Sequence, residues 1–250
     1  MRTDRTSFLD LGFDRLALDE VVERLAQITA EDRFGYVVTP NVDHIVRLHN
    51  GSAAAALLAP IYAAADYCLC DSRVLARLAR LCGINLPVIA GSDLTETIFA
   101  RVLRAGDRVA VVGGNEGLLD ALRIKFPNLD FVQHVPPMGL ANDAAARRRA
   151  ASFIASQKAR FTFICVGSPQ QEMIAAEAAR LRGSGGLGLC VGASLEFIAG
   201  HQLRAPLLVR RLGIEWAHRL VMNPRRMWKR YLVEGPRIFA LTYSWVHKRQ

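Results

Sequence analysis

The sequence predicts an α/β fold in which a mostly parallel sheet carries helices on both faces, with a helical appendage at the C-terminus. Three observations lead there. Several apolar, β-branched runs end in loops of small residues and give way to stretches of helical period. The runs are continuous rather than alternating, as strands buried on both faces are. From about His201 the pattern changes to arginine-rich helical segments broken by Pro206, Pro224 and Gly235-Pro236, with no comparable strand.

Taken in order, Tyr36 to Val38 leads into Thr39-Pro40-Asn41, and Tyr67 to Leu69 into Cys70-Asp71-Ser72. Arg108 to Val112 runs into Gly113-Gly114-Asn115, Phe161 to Val166 into Gly167-Ser168-Pro169, and Leu187 to Val191 into Gly192-Ala193-Ser194. Ligands of such sheets gather at the carboxyl ends of the strands, so these five loops are the place to look for a site. Residues 1–200 are expected to form the α/β domain and 201–250 the appendage.

A chain of 250 residues with 51% hydrophobic content buries a substantial core, which excludes general disorder. No run approaches the roughly 18 apolar residues of a membrane span. The longest, Ala53 to Ala65, contains Pro60 and meets Asp66. The N-terminus carries acidic residues and no apolar signal core, so the chain is expected in the cytoplasm. Five cysteines, Cys68, Cys70, Cys82, Cys165 and Cys190, form no Cys-x-x-Cys pair and sit in apolar stretches, which reads as reduced, buried thiols. Cys68 and Cys70 alternate along one strand and share a face.

Net charge is +9, but its distribution matters more. Residues 1–200 hold 21 basic and 21 acidic side chains, whereas residues 201–250 hold 11 basic ones against Glu215 and Glu234. The same tail holds all three tryptophans, Trp216, Trp228 and Trp245, with Tyr231, Phe239 and Tyr243. Rings of this kind suit the headgroup region and cations attract anionic lipid, so an anionic membrane surface is the expected partner. The competing reading is that these rings pack the appendage onto the body while the charges face water.

The loops spell Thr39-Pro40-Asn41-Val42-Asp43, Ala65-Asp66-Tyr67 leading to Asp71, Gly91-Ser92-Asp93-Leu94, Val166-Gly167-Ser168-Pro169-Gln170-Gln171-Glu172, Val191-Gly192-Ala193-Ser194, Ala199-Gly200 and Arg204-Ala205-Pro206. Glu215-Trp216, Arg219, Asn223-Pro224-Arg225-Arg226 and Arg230-Tyr231 follow. This ordered series resembles the WecG/TagA/CpsF family, glycosyltransferase family 26, over roughly Phe8 to Tyr243. The resemblance implies a Rossmann-like fold of the GT-E type and inverting, metal-independent transfer from a UDP-sugar to a polyprenyl-diphosphate-linked sugar. It also implies a peripheral place on the inner face of the membrane, with the appendage helping to close the site. The UDP-sugar is a substrate, and no cofactor, metal or nucleic acid is expected; a homo-oligomer is left open.

Inverting transfer needs a base for the acceptor hydroxyl and positive groups for the departing diphosphate. By the resemblance the base is Asp71, just past a strand end, with Asp43 in reserve; the alternative for Asp71 is to cap the helix that begins near Ser72. Thr39 and Asn41 match the family's Thr-Pro-Asn and are expected to hydrogen-bond substrate, or else to cap a helix. Gly167 lets backbone approach a ligand, Gln171 carries donors and acceptors, and Glu172 either joins them or serves the helix N-terminus. Gly113 and Gly114 can present backbone N–H groups to phosphate or simply make a tight turn, since Gly113-Gly114-Asn115-Glu116-Gly117 is not the dinucleotide fingerprint. Gly192 and Glu196 fall in the family's next donor-side loop. Arg204, Arg219 and Arg226 match its appendage arginines and are candidates for diphosphate or for lipid headgroups.

The chain departs from the pattern at three places. Asp-Gly-x-Gly reads Asp71-Ser72-Arg73-Val74, an expected arginine is Val88, and Phe-Asp is Leu195-Glu196. Arg73 is the candidate replacement cation. Two other classes remain at this stage: a dinucleotide-dependent oxidoreductase on the same kind of sheet, and a basic nucleic-acid-binding module.

Overall fold

Parallel pairing of the apolar runs builds the centre of the molecule, seen in a computed structural model that describes residues 5–115, 117–202, 205–206, 209 and 213–248. The strands are β1 (Arg5–Phe8), β2 (Leu11–Asp14), β3 (Gly35–Val38), β4 (Tyr67–Cys68), β5 (Arg108–Gly113), β6 (Asp130–His134), β7 (Phe161–Cys165) and β8 (Leu187–Cys190). Six of them form one sheet in the order β4-β3-β8-β7-β5-β6, all pairs parallel. The helices of the body are α1 (Leu18–Ala26), α2 (Val42–Leu48), α3 (Ala53–Ala64), α4 (Arg73–Leu81), α5 (Gly91–Arg101), α6 (Leu118–Lys125), α7 (Ala144–Gln157), α8 (Gln170–Ala178) and α9 (Ser194–Ile198). They cover both faces, as the continuous apolar strands require.

Alternation along each strand splits the core in two. Tyr36 and Val38 of β3 join Ile45 of α2, Leu58 of α3, Ile154 of α7 and Ile174 of α8 on one face. Val37 joins Val22 of α1, Ile98 of α5, Leu122 of α6 and Leu195 of α9 on the other. The chain therefore leaves β3 toward one face through α2 and leaves the adjacent β8 toward the opposite face through α9. That divergence makes the β3–β8 pair the switch point of the sheet, and folds of this kind bind ligands near such a point at the carboxyl ends of the strands.

The five expected strands are present within a residue or two. Two features were not anticipated. The β1–β2 hairpin turns through Leu9 and Asp10, at φ 51° and 58°. β6 is an edge strand whose Gln133 and His134 are only half-buried. The hairpin is tied to β4 by Asp14, which accepts from the Cys68 amide at 2.6 Å and pairs with Arg5 at 3.2 Å. On its β4 side β3 is also held by Asp66, whose carboxylate accepts from the Tyr36 amide at 3.0 Å. A Cβ on Gly35 would stand 2.5 Å from Asp66 Oδ2, which is why glycine occupies that position.

Pro60 lies inside the continuous helix α3. All five cysteines are free, with Cys68 and Cys70 buried in the same core cluster. Burial pushes the Cys70 and Cys165 thiols up to about 12 and that of Cys68 higher still.

Beyond Gly213 the chain is helical: Glu215–Met222, Pro224–Trp228 with proline in its first turn, the π-helical turn Lys229–Glu234, and Arg237–His247. The last helix docks on the body through buried Ile238 and Thr242 and through Trp245, which packs edge-on against Phe8 at 5.3 Å. Trp216, Trp228, Phe239 and Tyr243 stay exposed. No helix among the described residues is long and apolar enough to cross a membrane.

Candidate active site

The loops at the carboxyl ends of β3 and β4 meet the C-terminal helices around a cavity of about 480 Å³. Asn41, Asp43, Asp71 and Arg73 line it from the body, and Trp216, Arg230, Tyr231 and Phe239 line it from the C-terminal side.

Asp71 follows β4, where the ladder continues through a bridge between Cys70 and Val88. Its own amide donates to the Pro40 carbonyl at 3.0 Å, which fixes it beside the β3 loop. Asp71 does not cap α4. That position belongs to Ser72, whose hydroxyl accepts from the Leu75 amide at 3.1 Å. Where the family pattern has glycines, this chain places a cap at Ser72 and the cavity-lining side chain of Val74. Val88, in place of the usual arginine, also lines the cavity, while Arg73 lines it beside Gly213.

Asn41 caps α2, its Oδ1 accepting from the Asp43 amide at 3.1 Å. Asp43 faces two guanidinium groups, Arg47 at 2.7 Å and Arg230 at 3.4 Å. Arg47 also donates to Ser168 Oγ at 3.0 Å, joining α2 to the loop after β7.

Thr39 takes no capping role; its hydroxyl donates to the Cys190 carbonyl at 3.2 Å, holding the ends of β3 and β8 together. Gln171 is 4% exposed and uses both ends of its amide internally, accepting from Gly192 N at 3.0 Å and donating to Glu172 Oε1 at 2.9 Å. Glu172 is buried in the first turn of α8, and desolvation raises its pKa. His44 Nε2 lies 3.7 Å from Glu172 Oε1. Burial pulls the His44 imidazole down to about 3 and pushes the nearby Tyr62 hydroxyl well above its ordinary value.

The remaining candidates lie further along the same edge. Gly113 and Gly114 both have positive φ, and a Cβ on Gly113 would stand 2.8 Å from Val166 and 3.0 Å from the Cys165 backbone. Packing alone thus demands the glycine at 113. Gly167 and Gly192 also have positive φ but face open space. Glu196 Oε2 is 3.2 Å from His201 Nδ1 and 3.4 Å from Asn115 Nδ2, which joins α9 to the loop after β5. Arg204 lies outside the described residues; Arg219 and Arg226 belong to the helices Glu215–Met222 and Pro224–Trp228, their side chains outside the described set.

Sequence reasoning assigned no role to His44, Arg47 or Arg230. The i, i+4 pair Asp43 and Arg47 was a readable signal, as was the Asn-x-x-His spacing of a capping-box variant at Asn41 and His44. Arg230 reaches Asp43 from 187 positions away, which no local spacing encodes.

Residues 6–250 match the model of the Glycosyl transferase WecG/TagA/CpsF family. A match of that length, on a chain whose motif loops converge at one sheet edge, means that this protein belongs to the WecG/TagA/CpsF family of glycosyltransferases.

Proposed function

We propose that the protein is an inverting, metal-independent glycosyltransferase of cell-surface polysaccharide synthesis, moving a hexosyl or N-acetylhexosaminyl unit from a UDP-sugar to a polyprenyl-diphosphate-linked saccharide. One observation carries the reading. Asp71, at the position of the family's catalytic aspartate, lines the cavity at the strand ends, and the cap of α4 is Ser72.

In this reading Asp71 takes the proton of the acceptor hydroxyl, whose oxygen attacks the anomeric carbon as the bond to the diphosphate breaks and UDP leaves. Arg73 and Arg230 meet the charge that develops on UDP, joined by Arg204, Arg219 and Arg226. Asn41 orients the substrates from the cavity wall, while Thr39, Gln171 and Glu172 act by holding the strand-end loops in place. Gly113, Gly114, Gly167, Gly192 and Glu196 form the donor side. Residues 201–250 act as a peripheral anchor at the inner face of the membrane; exposed Trp216, Trp228, Phe239 and Tyr243 among basic residues support this.

The test is Asp71→Asn assayed for UDP release with a short-chain polyprenyl-diphosphate sugar. Loss of roughly 10²-fold or more is expected for removal of a general base, and wild-type turnover would refute the assignment.

A further inference from the structure

Gly213 lies against the first turn of α4. A Cβ built on it would stand 3.1 Å from both Cβ and Cδ of Arg73 and 3.6 Å from Nη2 of Arg77. Arg73 and Arg77 are one helical turn apart, so the chain at Gly213 rests on that face of α4, against the aliphatic stem of Arg73. At 3.1 Å an added methyl is tighter than ordinary van der Waals contact, and the stem would have to give way. Main chain fixes the approach: the Ile214 amide donates to the Val209 carbonyl at 3.2 Å, closing a turn in which Gly213 takes φ 74°. Gly213 and Arg73 both line the cavity. Among the described residues none forms a hydrogen bond or ion pair with the Arg73 guanidinium, whose charge is therefore available to a ligand. With Val88 standing where the family pattern has an arginine, Arg73 brings a cation to the wall two positions from Asp71.

We infer that Gly213 is a positioning residue: lacking a side chain, it lets the C-terminal segment lie on the Arg73 stem and hold the guanidinium at the cavity, where it meets the oxygens of a diphosphate. The identity of that anion rests on the proposed transferase reading, and the positioning rests on the contact alone. An arginine stem is long and rotamer-rich, so confining it at Cβ and Cδ reduces the freedom that anion binding must remove. The cation belongs to α4 but is aimed by the C-terminal segment. Docking of that segment and placement of the charge are thus a single event.

Gly213→Asn tests this, because asparagine is the other residue that such turns accept, so the turn is kept and the stem is disturbed. Nitrogen-15 relaxation of the Arg73 Nε–H, assigned by its loss in Arg73→Lys, is expected to report an ordered side chain in wild type and a mobile one in Gly213→Asn. A mobile Arg73 in wild type would overturn the inference without any variant, and equal order in the two proteins would overturn it as well. In the UDP-release assay Gly213→Asn and Arg73→Ala should each lose about tenfold in kcat/KM, the scale of a slightly misplaced contact. Gly213→Asn added to Arg73→Ala should lose less than about twofold more, since no guanidinium is left to misplace. A full second loss in the double variant would mean that Gly213 acts only through its turn, which the inference does not survive. If wild type releases no UDP from any donor, the transferase reading fails while the relaxation still decides the positioning.

Discussion

Arg230 reaches from the π-helical turn of the C-terminal segment to the carboxylate of Asp43 on α2, Nη2 to Oδ2 at 3.4 Å. This contact ties the outer wall of the cavity to the inner one. Arg47 engages the same carboxylate, so Asp43 keeps a cation when Arg230 is lost. Arg230→Met is therefore expected to cost only about 1 kcal/mol in global stability. Limited proteolysis should show faster cleavage beyond Gly213, and the Asp43→Asn, Arg230→Met double mutant should add little to either single change.

Asp71 and Ser72 are adjacent but separable. Ser72→Ala removes the cap of α4 and should lower stability by about 1 kcal/mol in urea titration. Asp71→Asn should leave the unfolding midpoint near that of wild type while abolishing UDP release. If Asp71→Asn destabilised as much as Ser72→Ala, its role would be architectural.

His44 and Glu172 impose opposite pH trends. The His44 pKa is depressed from 6.5 to about 3, so the unfolded chain binds a proton there that the folded one does not; this contribution is whole above 6.5 and is lost as pH falls toward 3. The Glu172 pKa is raised from 4.5, so the folded chain holds the extra proton, and stability falls as pH climbs above 4.5. Urea midpoints against pH should show His44→Asn flattening the acid limb, an effect of a few kcal/mol across that range. Glu172→Gln should flatten the opposite slope and raise stability near neutral pH.

The tryptophans divide between packing and surface. Trp245 packs on Phe8, so Trp245→Ala should cost about 3 kcal/mol. Trp228 is 52% exposed, so Trp228→Ala should change stability by less than about 0.5 kcal/mol. Sedimentation with anionic liposomes should weaken for Trp228→Ala and for Trp216→Ala. Unchanged sedimentation of both would remove these rings from the proposed membrane contact.

The parallel sheet was legible because strands buried on both faces must be continuously apolar, and Val109 to Val112 or Phe161 to Ile164 satisfy that without help from neighbours. β6 was not, since an edge strand tolerates Gln133 and His134. The hairpin was hidden because its turn uses Leu9 and Asp10 in the left-handed region where glycine or asparagine is the usual signal. At the site, the family resemblance singled out Asp71, Asn41 and Asp43, and all three line the cavity beyond the ends of β3 and β4. What Gln171 and Thr39 touch was not readable, because their partners Gly192 and Cys190 are brought near only by the β3–β8 pairing.

The Asp71 amide hangs on the Pro40 carbonyl, so main chain stitches the segment bearing this carboxylate to its neighbour. Lengthening either connection would unpick the stitch and carry the carboxylate away. Substitution at fixed length is the route that remains for diversifying what the cavity accepts. Ser72, Val74 and Val88, where the chain departs from the family pattern, line the cavity with Arg73, and a library confined to these four positions is the natural start for changing what it accepts.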